Sequence, residues 1–108
     1  MSNQIPVHRG SGNVFADLGF ADPEDMRLRA DLVQQLREVF ERRELTQTAA
    51  AELLGIRQPD LSALLRGRLT KYSLQRLLKF MTILDRDVKI VVKEKPRNRP
   101  ARITLESV

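Results

Sequence analysis

Apolar residues recur at helical spacing in several stretches of this chain, and the punctuation between them is equally regular. Leu32, Val33, Leu36, Val39 and Phe40 repeat at intervals of three and four, which predicts a helix from Pro23 to about Arg43. Asp22-Pro23-Glu24-Asp25 is its start signal: a capping carboxylate, a proline where the missing N–H costs nothing, then acids at the positive end of the helix dipole. A second apolar stripe, Leu74, Leu77, Leu78, Met81 and Leu84, follows Ser73, which can cap it. Asp85-Arg86-Asp87 breaks that pattern. Val88-Lys89-Ile90-Val91-Val92 is β-branched, partly alternating and too short for a helix, so it reads as a strand.

Between the two stripes lies Leu45 to Gly67, which reads as two short helices joined by a sharp turn. Thr46 can cap the first through its hydroxyl, and Ala50, Ala51 and Leu54 form its narrow apolar face. Gly55 falls where a left-handed residue would end it, and Ile56 is a buried-type residue in the turn. Pro59 suits the first turn of the second helix, whose apolar face is Leu61, Leu64 and Leu65, and Gly67 is a second stop. Ala51 faces inward just before the turn. Two helices that cross steeply after so short a turn need a small side chain at closest approach. That arrangement is a helix-turn-helix, whose second helix enters the major groove of DNA.

The residues Leu45-Thr46-Gln47, Ala51, Leu54-Gly55-Ile56, Gln58, Leu61-Ser62 and Arg66-Gly67 together resemble the phage-repressor, Cro and XRE type of helix-turn-helix domain. The resemblance implies an all-α, λ-repressor-like fold. One departure is Arg57, where many relatives carry Ser or Thr; arginine cannot cap a helix that way, so the second helix starts loosely or uses Arg57 on a phosphate. The longer layout is similar to small antitoxin-type regulators, the HigA-like antitoxins. It runs from Asn13-Val14-Phe15-Ala16-Asp17-Leu18-Gly19 through Ser73-Leu74-Gln75-Arg76-Leu77-Leu78 to the terminal strand. In such systems the companion is a ribosome-dependent ribonuclease toxin that the antitoxin neutralises.

A lone strand leaves its edges unbonded. Nothing else in the chain looks like a strong strand, so the natural mate is the same strand of a second copy. Val88, Ile90, Val91 and Val92 are therefore the candidate dimerisation residues. Residues 1–12 read as a flexible arm containing His8, residues 13–92 as the domain, and residues 93–108 as a flexible basic tail whose Ile103-Thr104-Leu105 could order on a partner. Val14, Phe15, Leu18 and Phe20 form an apolar cluster expected to pack on the domain itself.

Composition narrows the function. At 108 residues, 42% hydrophobic and 31% charged, the chain allows one domain with a modest core, and at 5% aromatic that core must be mainly aliphatic. There is no cysteine and one histidine, which removes disulfides, thiolate metal sites and triads; no cofactor is called for. With no carboxylate cluster and no phosphate-cradling glycine loop, an enzyme is not expected. No apolar run could span a bilayer and no signal pattern opens the chain, which makes the cytoplasm the expected location. Net charge is +5, unevenly spread. Residues 1–44 hold 6 Lys/Arg against 8 Asp/Glu, residues 45–87 hold 7 against 4, and residues 88–108 hold 6 against 2. Positive charge thus gathers with the helix-turn-helix and the tail, as a phosphate-facing side requires.

The candidate DNA-binding residues are Gln47, Thr48, Arg57, Gln58, Pro59, Asp60, Ser62, Arg66, Arg68 and Lys71. Gln47 opens a helix whose free N–H groups suit a phosphate, and the resemblance implies that it also braces the next helix. Gln58 can pair with adenine's N7 and N6 edge. Asp60 could accept from cytosine, although simple exposure is the favoured reading. Arg66, Arg68 and Lys71 sit where relatives hold the sugar-phosphate strand, and Tyr72 is expected to anchor that loop in the core. Arg27, Arg29, Arg37, Arg42 and Arg43 read as a solvated face with i,i+4 partners. The partners so implied are double-stranded DNA, a second copy of the chain and, on the antitoxin reading, a toxin protein.

Overall fold

The computed structural model describes residues 22–107. The expected N-terminal arm and the Val14, Phe15, Leu18 and Phe20 cluster lie outside the described residues, as does His8.

Four helices are present among the described residues: α1 (Pro23–Arg42), α2 (Gln47–Leu54), α3 (Gln58–Leu65) and α4 (Leu74–Ile83). Three start as the sequence dictates. The Asp22 carboxylate accepts from the Glu24 N–H at 3.1 Å, the Thr46 hydroxyl from the Ala49 N–H at 3.1 Å, and the Ser73 hydroxyl from the Arg76 N–H at 3.1 Å. Each satisfies a donor that the first helical turn leaves free. α3 is the exception: Arg57 occupies its cap position and makes no side-chain cap bond.

Gly55 ends α2 at φ 73°, and the Ile56 N–H then reaches back to the Ala51 carbonyl at 3.1 Å. This left-handed residue turns the chain sharply enough for α3 to cross α2. A Cβ at Gly55 would meet nothing within 4 Å, so the cost of a side chain there is conformational and not steric. Gly55→Ala is expected to lower stability by about 1–2 kcal/mol, read as a shifted urea midpoint with unchanged slope.

α1 packs along α4, and the α2–α3 pair closes the other side. The shared core joins Leu32, Val33, Leu36, Val39 and Phe40 of α1 with Ala50, Ala51 and Leu54 of α2. Leu61 and Leu64 enter from α3, Leu77, Phe80 and Met81 from α4, and Leu69, Tyr72 and Leu84 from the connections. No polar or charged residue is buried among the described residues. Tyr72 is buried as expected, with its ring edge-on to Phe80 at 5.7 Å and the Arg76 guanidinium over it at 4.9 Å.

Two sequence expectations need amendment. The arginines of α1 are only partly a solvated face. Arg29 does form the i,i+4 pair with Asp25 at 2.6 Å, but it also donates to the Leu69 carbonyl at 3.1 Å. Arg37 donates to the Leu65 carbonyl, and Arg43 to the Leu84 carbonyl at 3.3 Å. The Leu65 and Leu84 carbonyls end helices and lack main-chain partners in the chain that follows, so long cationic side chains of a neighbouring helix reach them, while Leu69 offers a loop carbonyl.

The second amendment concerns Val88–Val92. No strand forms among the described residues, and this segment is exposed throughout, Ile90 at 79% and Val92 at 93%. A strand exists only by bonding to a neighbour, and no described segment offers one. The chain then returns to the start of α1. There the Ile103 N–H donates to the Glu24 carboxylate at 2.8 Å and Leu105 packs on the core.

Candidate nucleic-acid interface

The N-terminal ends of α2 and α3 meet at the surface, and the sequence decides which side chains they present. Gln47, Thr48, Arg57, Gln58 and Pro59 are all exposed, while Leu61 and Leu64, further along α3, are fully buried. Helical period places Gln58, three residues before Leu61, on the same side of α3; it is exposed because it opens the helix, where its side chain meets Gln47 and not the core. Gln58 Nε2 donates to Gln47 Oε1 at 3.0 Å. The bond ties the first residue of α3 to the first residue of α2. It leaves three amide N–H donors and the Gln58 carbonyl oxygen for a ligand.

The other end of α3 carries the basic residues. Arg66 folds back so that Nη1 donates to the Ser62 hydroxyl at 2.7 Å, one turn earlier. Arg68 and Lys71 project from the loop between α3 and α4 and are exposed. The loop itself is anchored from within by Leu69 and Tyr72, both buried. Hence a surface arc runs from Gln47 and Gln58 along α3 to Arg66, Arg68 and Lys71, on one fixed frame.

Asp60 is not simply exposed. Lys71 Nζ lies 3.0 Å from its Oδ1, joining the first turn of α3 to the loop that follows α3. The hydrogen bond from Lys71 is the main reason the carboxyl titrates below its ordinary range; desolvation opposes it, and the charges of Lys71, Arg57 and Arg76 add to the lowering. A group whose pKa is lowered by folding contributes stability above its unfolded value and loses it as pH falls through the folded one. The pair is therefore intact at neutral pH and opens only in acid. Asp60→Asn removes a negative charge from this arc and releases Lys71. Expected is tighter binding to random-sequence duplex, with a salt slope steeper by about 0.9. Anisotropy titrations across salt read it directly, and weaker binding would show that Asp60 contributes to recognition instead.

Ten residues were expected at this surface, and the structure brings three pairs of them together: Gln47 with Gln58, Ser62 with Arg66, and Asp60 with Lys71. Thr48, Arg57, Pro59 and Arg68 stand exposed around them. Arg76 was missed. It is exposed on the first turn of α4, stacked over Tyr72 and Phe80, and close enough to Asp60 to influence its titration. Its spacing four after Tyr72 was the available signal. Among the described residues, no cluster of His, Asp or Glu could hold a metal ion, and no helix is long and apolar enough to cross a membrane.

Comparison with known proteins agrees with this geometry. A helix-turn-helix domain family matches residues 14–93. A solved structure assigned to the XRE family of transcriptional regulators is similar over 79% of this chain and 97% of its own, at 41% identity and a TM-score of 0.74. No curated protein matches the chain.

Proposed function

The chain belongs to the helix-turn-helix family of XRE-type transcriptional regulators, and on that premise we propose that it is a repressor which binds operator DNA as a homodimer. The observation that carries this reading is the Gln47–Gln58 brace, exposed at the open end of α3 and continued by Arg66, Arg68 and Lys71. α3 lies in the major groove, Gln58 reads a base edge, and the basic loop holds the phosphate strand. Phosphate contacts supply most of the affinity and Gln58 with its neighbours the discrimination.

Val88, Ile90, Val91 and Val92 supply the dimer contact. Their exposure on a segment outside any helix supports pairing with the same segment of a second copy, which buries the apolar side chains and bonds the free backbone edge. Two copies then read half-sites about one helical turn, roughly 34–36 Å, apart. Selection from a random duplex library tests both parts. The expected product is a two-fold symmetric site with that spacing, and a library that stays random would remove the proposal. Val91→Lys should give monomers by light scattering and enrich single half-sites.

A toxin protein is the other candidate occupant of the Val88–Val92 strip, and its capture would make the chain an antitoxin that also regulates its operon. The mass of the complex isolated from the native host separates the two: twice the chain mass supports the homodimer, and a second, different small protein supports the antitoxin.

A further inference from the structure

The loop that carries Arg66, Arg68 and Lys71 is clamped at two points by the same helix. Arg37 of α1 donates to the carbonyl of Leu65, the last residue of α3. Arg29 of α1 donates at 3.1 Å to the carbonyl of Leu69. The segment Arg66-Gly67-Arg68 lies between these two carbonyls, with Gly67 at φ 102°. Arg29 and Arg37 are eight residues apart, so they stand about 12 Å apart along one side of α1. They bridge 40 and 28 residues of sequence respectively.

The remaining carbonyls of the last turn of α3 are met locally. Ser62 and Ala63 accept from the Arg66 N–H, Ala63 also from the Arg68 N–H, and Leu64 from the Gly67 N–H. Leu65 is satisfied from α1, by a cation at the negative end of the α3 dipole. Beside the clamp, an open groove of about 250 Å³ lined by Val33, Gln34, Arg37, Leu65, Arg66 and Leu69 separates α1 from the loop. Side-chain hydrogen bonds from α1 therefore add to the anchoring that the buried Leu69 and Tyr72 give the loop.

We infer that Arg29 and Arg37 are positioning residues for DNA binding: they hold the Arg66–Arg68 segment at the height and angle its phosphate contacts require, without touching DNA themselves. The inference rests on the reading of that loop as a phosphate-holding element. It assigns to α1, the acidic part of the chain, a share in an interaction made by the basic part.

The test uses the full chain with Arg37→Met, which keeps the unbranched apolar stem and removes the donors. The probe is a fluorescein-labelled duplex of random sequence, titrated over a range of salt at a temperature where circular dichroism shows the variant folded. Expected is a salt slope shallower by about 0.9 for each phosphate the loop no longer neutralises, in protein that is still helical. In an Arg66→Ala, Arg68→Ala background, Arg37→Met should change the slope no further, because its effect passes through those two residues. A reduction that simply adds to theirs would mean that Arg37 contacts phosphate itself, and would overturn the inference. An unchanged slope in the folded single variant would overturn it equally. If Arg37→Met does not fold, Arg29→Met asks the same question from the other end of the loop. Should the unaltered protein fail to bind the probe at low salt, it is the reading of the loop that fails and not the clamp.

Discussion

Leu61→Ala should destabilise the protein by about 2–5 kcal/mol, a large part of the roughly 5–15 kcal/mol that holds a domain of this size folded. Leu61 is fully buried on α3, three residues from the exposed Gln58. It belongs to the core cluster that α3 shares with α1, α2 and α4. Truncation removes its buried methyl groups and leaves a cavity where the two short helices meet. Neither α2 nor α3, at eight residues, is long enough to persist without that packing. Urea denaturation gives the stability change, and DNA binding should fall with the folded fraction. Leu53→Ala on α2 is the control: Leu53 is 45% exposed, and its loss should stay within about 0.5 kcal/mol.

The second large effect concerns charge. Replacing Arg66, Arg68 and Lys71 together by alanine should flatten the salt dependence of DNA binding by about 2.7, three phosphates at about 0.9 each. Affinity should fall for every sequence alike. Stability should scarcely change, since the one ion pair removed, Lys71 with Asp60, is at the surface, where water and salt screen it. Gln58→Ala should behave in the opposite way. It keeps the salt slope and relaxes preference at one base pair, by about 1–3 kcal/mol. The same titrations on matched and singly altered duplexes compare them. Equal behaviour of the two variants would contradict the division between loop and helix.

How much of this was legible in the chain depends on the distance over which each feature is decided. The caps at Asp22, Thr46 and Ser73, the left-handed Gly55 and the inward stripe of Leu61 and Leu64 are set within one or two helical turns. The sequence therefore announces them, and with them the exposed positions of Gln47 and Gln58. The burial of Tyr72 was readable too, because a tyrosine in a basic loop between two apolar stripes has a core to enter. The Arg29 and Arg37 bonds were not readable. Their acceptors are main-chain carbonyls far along the chain, which look alike in any sequence, and an arginine among acids on a helix suggests local pairs first. Arg76 escaped for a related reason: only the packed ring of Tyr72 gives it a surface to lie on. Val88–Val92 carries a strand's composition, but composition cannot provide the neighbour that turns an extended segment into a ladder.

Tyr72 has a practical meaning beyond its packing. It is the sole tyrosine, and the chain has no tryptophan, so all the intrinsic emission of the protein excited beyond the phenylalanine band comes from one ring. That ring sits at the root of the α3–α4 loop with a guanidinium against its face. Its fluorescence is thus a built-in, label-free reporter of whether the loop is seated, and it can follow unfolding or loosening at that single place without any engineered dye.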